Sequence, residues 1–279
     1  MEYEQSFIGI LTDFGTRAGY VASMKGVILS ICDSRIIDLS HDITPHDIQE
    51  AAYFLDNVTL YYPDGFIFLI VVDPGVGSSR RILALETKKK HQFFIAPDNG
   101  VLDLVIKEQG IRTLHSVEND QYARSSTSHT FHGRDVMAPC VAHLASGVEI
   151  DEFGPKVDPR TIVTLDIPEP EFRSDTNTIH GIVLYIDDFG NVVTNIREEQ
   201  LGRLLVAPGV IMKVSFGSSP SLKTMEMNFL QYYASAPKGD FLCLFNSENR
   251  FEVARNQASA ARALGSIKPG EHVSVSING

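Results

Sequence analysis

Phe66 to Val72 reads FIFLIVV and stops abruptly at Asp73-Pro74-Gly75-Val76-Gly77. A continuous apolar run rich in β-branched and aromatic residues, with no polar alternation, is the pattern of a strand covered on both faces, as in the interior of a parallel sheet. The segments upstream agree with that setting. Phe7 to Leu11 is a short apolar run that ends at Thr12-Asp13-Phe14-Gly15, and Val21, Met24, Val27, Ile28 and Ile31 follow at helical spacing. Arg35 to Leu39 predicts a second strand, Ser40 to Asp47 a loop, and Ile48, Ala51, Ala52, Leu55 and Val58 a second helical face. Downstream, Ile82 to Leu85 and Phe93 to Ile95 flank the Lys88-Lys89-Lys90-His91 turn and predict a hairpin. The βαβα order predicts a doubly wound α/β domain whose functional loops leave the carboxyl ends of the strands.

The texture changes near residue 166, where Asp166-Ile167-Pro168-Glu169-Pro170-Glu171 reads as a proline-punctuated acidic linker. Beyond it short strands dominate: Ile179 to Ile186, Val192 to Ile196, Val210 to Phe216, Phe241 to Phe245 and His272 to Ile277, with one helix over Ala258 to Leu264. A small β-barrel or β-sandwich is the economical reading. The expected division is residues 1–166 for the α/β domain and 175–279 for the β domain. A length of 279 residues suits two domains at ~150 residues each.

Composition removes several classes of function. Lys plus Arg number 24 against 35 Asp plus Glu, a net charge of −11, which disfavours a nucleic-acid partner because such binding rests on clustered cations. No apolar run reaches the ~18 residues a membrane span needs, and the start Met1-Glu2-Tyr3-Glu4-Gln5 is acidic where a signal peptide is basic. Cys32, Cys140 and Cys243 are odd in number and far apart, which fits reduced thiols in a cytoplasmic protein.

Three segments put polar side chains where a sheet-end site would lie. Asp13 follows the first strand, where a carboxylate can accept two ribose hydroxyls or simply make a turn. Asp73 follows the buried strand, with two glycines that permit close backbone approach and then Arg80-Arg81; a tight turn with surface arginines is the alternative. His132, in Thr130-Phe131-His132-Gly133-Arg134-Asp135, precedes a helix running through Val136, Met137, Cys140, Val141 and Leu144. The exposed N–H groups there favour neutral imidazole or a bound anion, and a capping segment is again the alternative. Asp-Phe-Gly occurs at residues 13 and 188 without the other parts of a kinase. His41-Asp42 and His46-Asp47 lack a compact metal-ligand set and read as a structural loop.

Taken together, these segments resemble one family, the S-adenosylmethionine hydrolases or S-adenosylmethionine hydroxide adenosyltransferases, relatives of the fluorinating and chlorinating enzymes. The resemblance is carried in order by TDFG (Thr12 to Gly15), MKGVI (Met24 to Ile28), SHDITPHD (Ser40 to Asp47), VVDPGVGSSRR (Val71 to Arg81), APDNG (Ala96 to Gly100), TFHGRD (Thr130 to Asp135), IDDFGN (Ile186 to Asn191) and NSENRFEVARNQASAA (Asn246 to Ala261). Ala18 and Ala258 depart from it, standing where an acid and a glycine are frequent.

The resemblance implies a Rossmann-like N-terminal domain, a C-terminal β-barrel and a homotrimer with active sites between subunits. It implies a catalytic triad that falls on Asp73, Arg80 and His132, with Arg80 preferred to Arg81 because it lies seven residues after the Asp. Asp13 is expected to hold the ribose hydroxyls, and Asp187, Asn191, Ser247, Glu252 and Arg255 to lie near the adenine or methionine ends of the substrate. The implied reaction is S-adenosyl-L-methionine plus water to adenosine and L-methionine, with no metal and no added cofactor. Halide transfer to the same carbon is the nearest rival, and a non-catalytic S-adenosylmethionine or adenosine sensor comes from another class. The absence of tryptophan and the short Glu86 to Gln92 turn separate the chain from the halogenating branch.

Overall fold

A computed structural model describes residues 6–204, 207–218, 222–265 and 267–277; the N-terminal Met1 to Gln5 lie outside them. The chain divides into two compact units, Met1–Leu165 and Asp166–Gly279.

The first unit runs β1 (Phe7–Thr12), α1 (Tyr20–Ile31), β2 (Arg35–Ser40), α2 (Ile48–Val58), β3 (Ile67–Val71), β4 (Ile82–Thr87), β5 (Phe93–Pro97), α3 (Asp103–Gln109), β6 (Ile111–Ser116) and α4 (Ala138–Ala145). The strands form one sheet in the order β2-β1-β3-β5-β4-β6. β1 is parallel to β2 and β3, β3 is parallel to β5, and β4 is antiparallel to β5 and β6, so β4 and β5 are the expected hairpin.

The burial of β3 explains its continuous apolar run. Ile67, Leu69 and Val71 pack on one face with Met24 and Ile28 of α1 and Cys140 and Val141 of α4. Phe66, Phe68, Ile70 and Val72 pack on the other face with Leu55 of α2 and Val105 of α3. Because β1 feeds β2 on one side and β2 returns to β3 on the other, the winding reverses between β1 and β3, and their carboxyl ends open the crevice where such sheets take ligands. Asp13 and Asp73 follow those two ends.

The second unit runs β7 (Glu171–Arg173), β8 (Thr178–Ile186), β9 (Val192–Arg197), α5 (Glu198–Leu201), β10 (Ile211–Phe216), β11 (Lys223–Phe229), β12 (Phe241–Phe245), β13 (Arg250–Arg255), α6 (Ala260–Ala263) and β14 (His272–Ile277). Pairing of β14 with both β10 and β8 closes a seven-stranded barrel, with β7 appended to β8. Barrel, not sandwich, is therefore the architecture. An odd ring cannot be antiparallel throughout, and the one parallel contact is β11 with β12, over two register pairs, Asn228 with Leu242 and Phe229 with Cys243. The inward side chains Ile179, Val183, Val192, Met212, Val214, Phe251, Val253, Val273 and Val275 make the core. The helix expected from Ala258 begins later, because Ser259 caps it by accepting from the Arg262 N–H. No helix among the described residues is long and apolar enough to cross a membrane.

Candidate active site

In the first unit the carboxyl end of β1 is pinned from below. The Thr12 hydroxyl lies 2.9 Å from His41 Nδ1, and His41 Nε2 lies 2.8 Å from Asp38 Oδ1, with Lys25 on the other Asp38 oxygen at 2.7 Å. Thr12 and His41 are both buried, and both ring nitrogens of His41 are engaged, by Thr12 and Asp38. Among the described residues no group of three or more His, Cys, Asp or Glu is placed to hold a metal ion. Asp13, directly after Thr12, accepts the His46 backbone N–H at 2.9 Å. His46 has a positive φ of 71°, and this turn aims its amide at the carboxylate.

At the end of β3, Asp73 and Arg80 form a two-pronged pair. Arg80 Nε donates to Asp73 Oδ1 at 2.9 Å and Oδ2 at 3.0 Å, and Nη2 donates to Oδ2. The side chains are 5% and 11% exposed, so the charges meet with little water between them. The loop joining them turns at Gly77, whose φ is +80° and where a Cβ would stand 2.4 Å from the His129 carbonyl oxygen. Only glycine fits that close approach.

Arg80 Nη2 also lies 3.2 Å from His132 Nδ1. An arginine is always a donor, so this contact assigns Nδ1 as acceptor and puts the ring proton on Nε2. Burial, and secondly the Arg80 cation, hold the His132 pKa below its ordinary value, which keeps the ring neutral near pH 7. Arg81 points elsewhere: it donates to Asp98 Oδ2 at 2.8 Å and to Thr161.

His132 is held by an unusual helix start. Gly133 to Met137 form a π turn that runs into α4. Pro139 has no N–H for the Asp135 carbonyl four residues earlier, and the Arg124 N–H takes that carbonyl at 2.8 Å. Asp135 is fully buried, bound by Arg134 at 2.7 Å and by the Ser128 N–H at 2.8 Å. These bonds tie the 124–132 loop to the helix. A Cβ on Gly133 would stand 2.7 Å from Val71 Cγ1, so the helix start lies directly on the end of β3. Phe14, Tyr20 and Phe131 form a ring cluster at the same edge, with centroids 5.4 to 5.8 Å apart.

The second unit has its own cleft, of about 980 Å³, lined by Asp187, Phe189, Asn191, Tyr233, Arg255 and Gln257 among others. Asp187 accepts the Asn191 backbone N–H at 2.8 Å and its Nδ2 at 2.9 Å, which closes the β8–β9 turn. Gly190 is required there: its φ is +81° and a Cβ would stand against Ser259 Oγ. Arg255 donates to the Gly239 carbonyl at 2.9 Å and its guanidinium covers the Phe241 ring. Glu252 does not line the cleft. It is 2% exposed and accepts from Tyr233, which does line it, at 2.8 Å. Burial pushes the Glu252 carboxyl up to about 7, and burial together with the Glu252 bond raises the Tyr233 phenol. Ser247 lies in the β12–β13 turn, donating to Glu248 at 2.7 Å, and is not among the lining residues.

The structure thus joins Asp73, Arg80 and His132 in one network, sets Asp13 at the end of the neighbouring strand, and gathers Asp187, Asn191 and Arg255 around one cleft. Tyr233 was missed by sequence reasoning; it opens a short 3-10 turn, Tyr233–Ser235, after β11, and nothing in its neighbours marks it.

The N-terminal domain model of the SAM hydroxide adenosyltransferases matches residues 8–154, and the C-terminal domain model matches residues 181–274. The chain is 33% identical to the (R)-S-adenosyl-L-methionine hydrolase of Methanocaldococcus jannaschii, over 92% of this chain and 91% of that one. It is 29% identical to a fluorinase of Nocardia brasiliensis, over 97% and 96%. A crystal structure of an uncharacterized conserved protein from Thermotoga maritima superposes with a TM-score of 0.88 at 33% identity, covering 96% of this chain and 99% of that one. With both domain models matched in order, the chain belongs to the SAM hydroxide adenosyltransferase family.

Proposed function

We propose that the chain hydrolyses S-adenosyl-L-methionine to adenosine and L-methionine, with Asp73, Arg80 and His132 as its catalytic residues. The single observation that carries this reading is the continuous Asp73–Arg80–His132 network at the switch point of the sheet. Relatives named as (R)-S-adenosyl-L-methionine hydrolases support the substrate and direct attention to the (R) configuration at sulfur. In this reading Asp13 accepts the ribose hydroxyls, and Asp187, Asn191 and Arg255 contact the adenine or methionine portion. Glu252 acts behind Tyr233, and Ser247 belongs to the binding set by resemblance. By the same resemblance the working form is a homotrimer, which sedimentation of the purified chain tests.

Water attacks ribose C5′ in line. The C5′–O bond forms as the C5′–S bond breaks, and sulfur keeps the electron pair to leave as a neutral thioether. The sulfonium already activates the carbon, so the difficulty lies in the nucleophile: free hydroxide at pH 7 costs ~12 kcal/mol, from a water pKa of ~15.7. The His132 Nε2–H and the Arg80 guanidinium are donors that can fix one water and stabilise the negative charge gathering on its oxygen. Asp73 spends both oxygens on Arg80, which favours an orienting role. Once the C5′–O bond has formed the oxygen is strongly acidic, and the Asp73 carboxylate is the base within the network.

The test is mass spectrometry of products from each sulfur epimer in oxygen-18 water, with and without chloride or fluoride. Adenosine labelled at the 5′ oxygen, with methionine and no halide dependence, is expected. A 5′-halo nucleoside would move the chain to the halogenating branch, and binding without turnover would make it a sensor.

A further inference from the structure

The APDNG stretch has no role in the chemistry above, yet two of its residues touch both ends of the loop that carries the triad. β5 lies between β3 and β4 in the sheet, so the residues that follow it sit beside the end of β3 and the start of β4. Asn99 Nδ2 donates to the Val72 carbonyl at 2.9 Å, one residue before Asp73. Its Oδ1 accepts the Val101 N–H at 3.2 Å, which fixes the amide's orientation. The Asp98 side chain, 4% exposed, holds Arg81 Nε at 2.8 Å, one residue after Arg80. The Asp98 N–H donates to the Arg81 carbonyl at 2.9 Å, and its other carboxylate oxygen accepts the Val163 N–H at 2.9 Å.

Between these anchors the chain runs through Pro74, Gly75 and Gly77, with local bonds from the Val76 N–H to Asp73 and the Ser78 N–H to Gly75. A loop with two glycines needs its ends fixed if carboxylate and guanidinium are to meet in one geometry, and a 1 Å misplacement of such groups costs about 10²-fold in rate. We propose that Asp98 and Asn99 are positioning residues, a clamp on Val72 and Arg81 that sets Arg80 against Asp73 and His132. The inference rests on the proposed hydrolase reading for its effect on rate, though not for its effect on geometry.

The test uses Asn99→Leu, which keeps the shape and charge of the site and removes both polar contacts. Turnover of S-adenosyl-L-methionine is expected to fall at least about tenfold in kcat, with KM within about threefold, as for a lost alignment. The independent readout is the NMR titration of the His132 ring in the ligand-free full chain, its signal identified by its loss in His132→Gln. If the clamp keeps Arg80 against Nδ1, the His132 midpoint rises in Asn99→Leu toward the ordinary imidazole value. Unchanged kcat, or a fall in kcat with the midpoint unmoved, would overturn the proposal. Should Asn99→Leu fail to fold, Asp98→Asn, which keeps an acceptor for the Val163 N–H and loses the charge that holds Arg81, is expected to move both readouts the same way. A wild-type chain that does not turn over S-adenosyl-L-methionine removes the functional reading, while the His132 midpoint still decides the clamp.

Discussion

Replacing Glu252 by Gln should stabilise the barrel at high pH and leave it nearly unchanged at low pH. The carboxyl is raised from 4.5 to about 7 by burial, so folding increases its hold on a proton. Between about pH 4.5 and about pH 7 the native state keeps a proton that the unfolded chain has lost, and stability falls as pH rises through that window. Above it, the full cost of burying the ionised acid is present. At 1.36 kcal/mol per unit, a rise of about 2.5 units amounts to ~3 kcal/mol. Glutamine is neutral but offers one carbonyl oxygen to two donors, the Tyr233 hydroxyl and the Asn246 side chain, so one hydrogen bond worth ~1 kcal/mol is lost. The net expectation for Glu252→Gln is ~2 kcal/mol of stabilisation at about pH 8, falling to about zero or slightly below it at about pH 5, where the native acid is neutral and the lost hydrogen bond remains. Urea titrations of the full chain at the two pH values, read by hydrogen exchange in peptides from β13, follow the unit that contains the residue. A variant no more stable than wild type at pH 8, or a gap that ignores pH, would refute the reasoning.

Arg80→Ala and His132→Ala should each lower kcat by about 10²-fold or more, of the order seen when one transition-state donor is removed, while calorimetry finds adenosine affinity little changed. Arg81→Ala should be mild beside them. Because burial and Arg80 lower the His132 pKa, the neutral ring persists below its usual titration range, and the acid limb of the kcat profile should lie below pH 6.5 and disappear in His132→Gln. Gly133→Ala brings a methyl to 2.7 Å from Val71 and should cost ~1–3 kcal/mol in urea unfolding, with loss of activity as the His132 helix start shifts. Thr12→Val strands the buried His41 Nδ1 and should cost ~1–3 kcal/mol by the same measurement.

The α/β architecture was legible because its signals are redundant. The unbroken run Phe66 to Val72 could be explained only by burial on two faces, and α1 and α2 carry helical spacing on one face each. The barrel was legible in outline: Val273, Val275 and Ile277 alternate with Ser274 and Ser276 in β14. β11 escaped because Lys223 to Phe229 alternates Lys, Thr, Met, Glu, Met and Asn, and its strand state is set by its neighbours. β13 escaped because Arg250 to Arg255 alternates charge with apolar residues and drew attention as chemistry. β6 was equally inconspicuous. At the site, the spacing of Asp73 and Arg80 brings the two together across a short loop, whereas His132 arrives from a distant segment that no local pattern could join to them. The burial of Glu252 was not visible either. A glutamate flanked by Phe251 and Val253 reads as the outward residue of a strand, and only the Tyr233 loop folding over it reverses that.

The parity of the barrel ring has a consequence for how the molecule tolerates change. A closed circuit of seven strands needs one junction of the wrong sense, and here it is the two-pair overlap between β11 and β12. Every other junction in the circuit is a ladder of at least three pairs, so this one is the seam. The connection that leaves and re-enters the circuit there, residues 230–240, contributes no register pair to it. Its ends are nonetheless tied to the neighbouring strands, the Leu230 N–H to the Cys243 carbonyl at 2.9 Å and the Gly239 N–H to the Asn256 carbonyl at 2.8 Å, so a change in its length has to fall between those anchors and acts first on Tyr233 and its bond to Glu252. At its weakest junction the barrel thus has side-chain and loop bonds in place of a full ladder, and the residue that makes one of them, Tyr233, also lines the cleft.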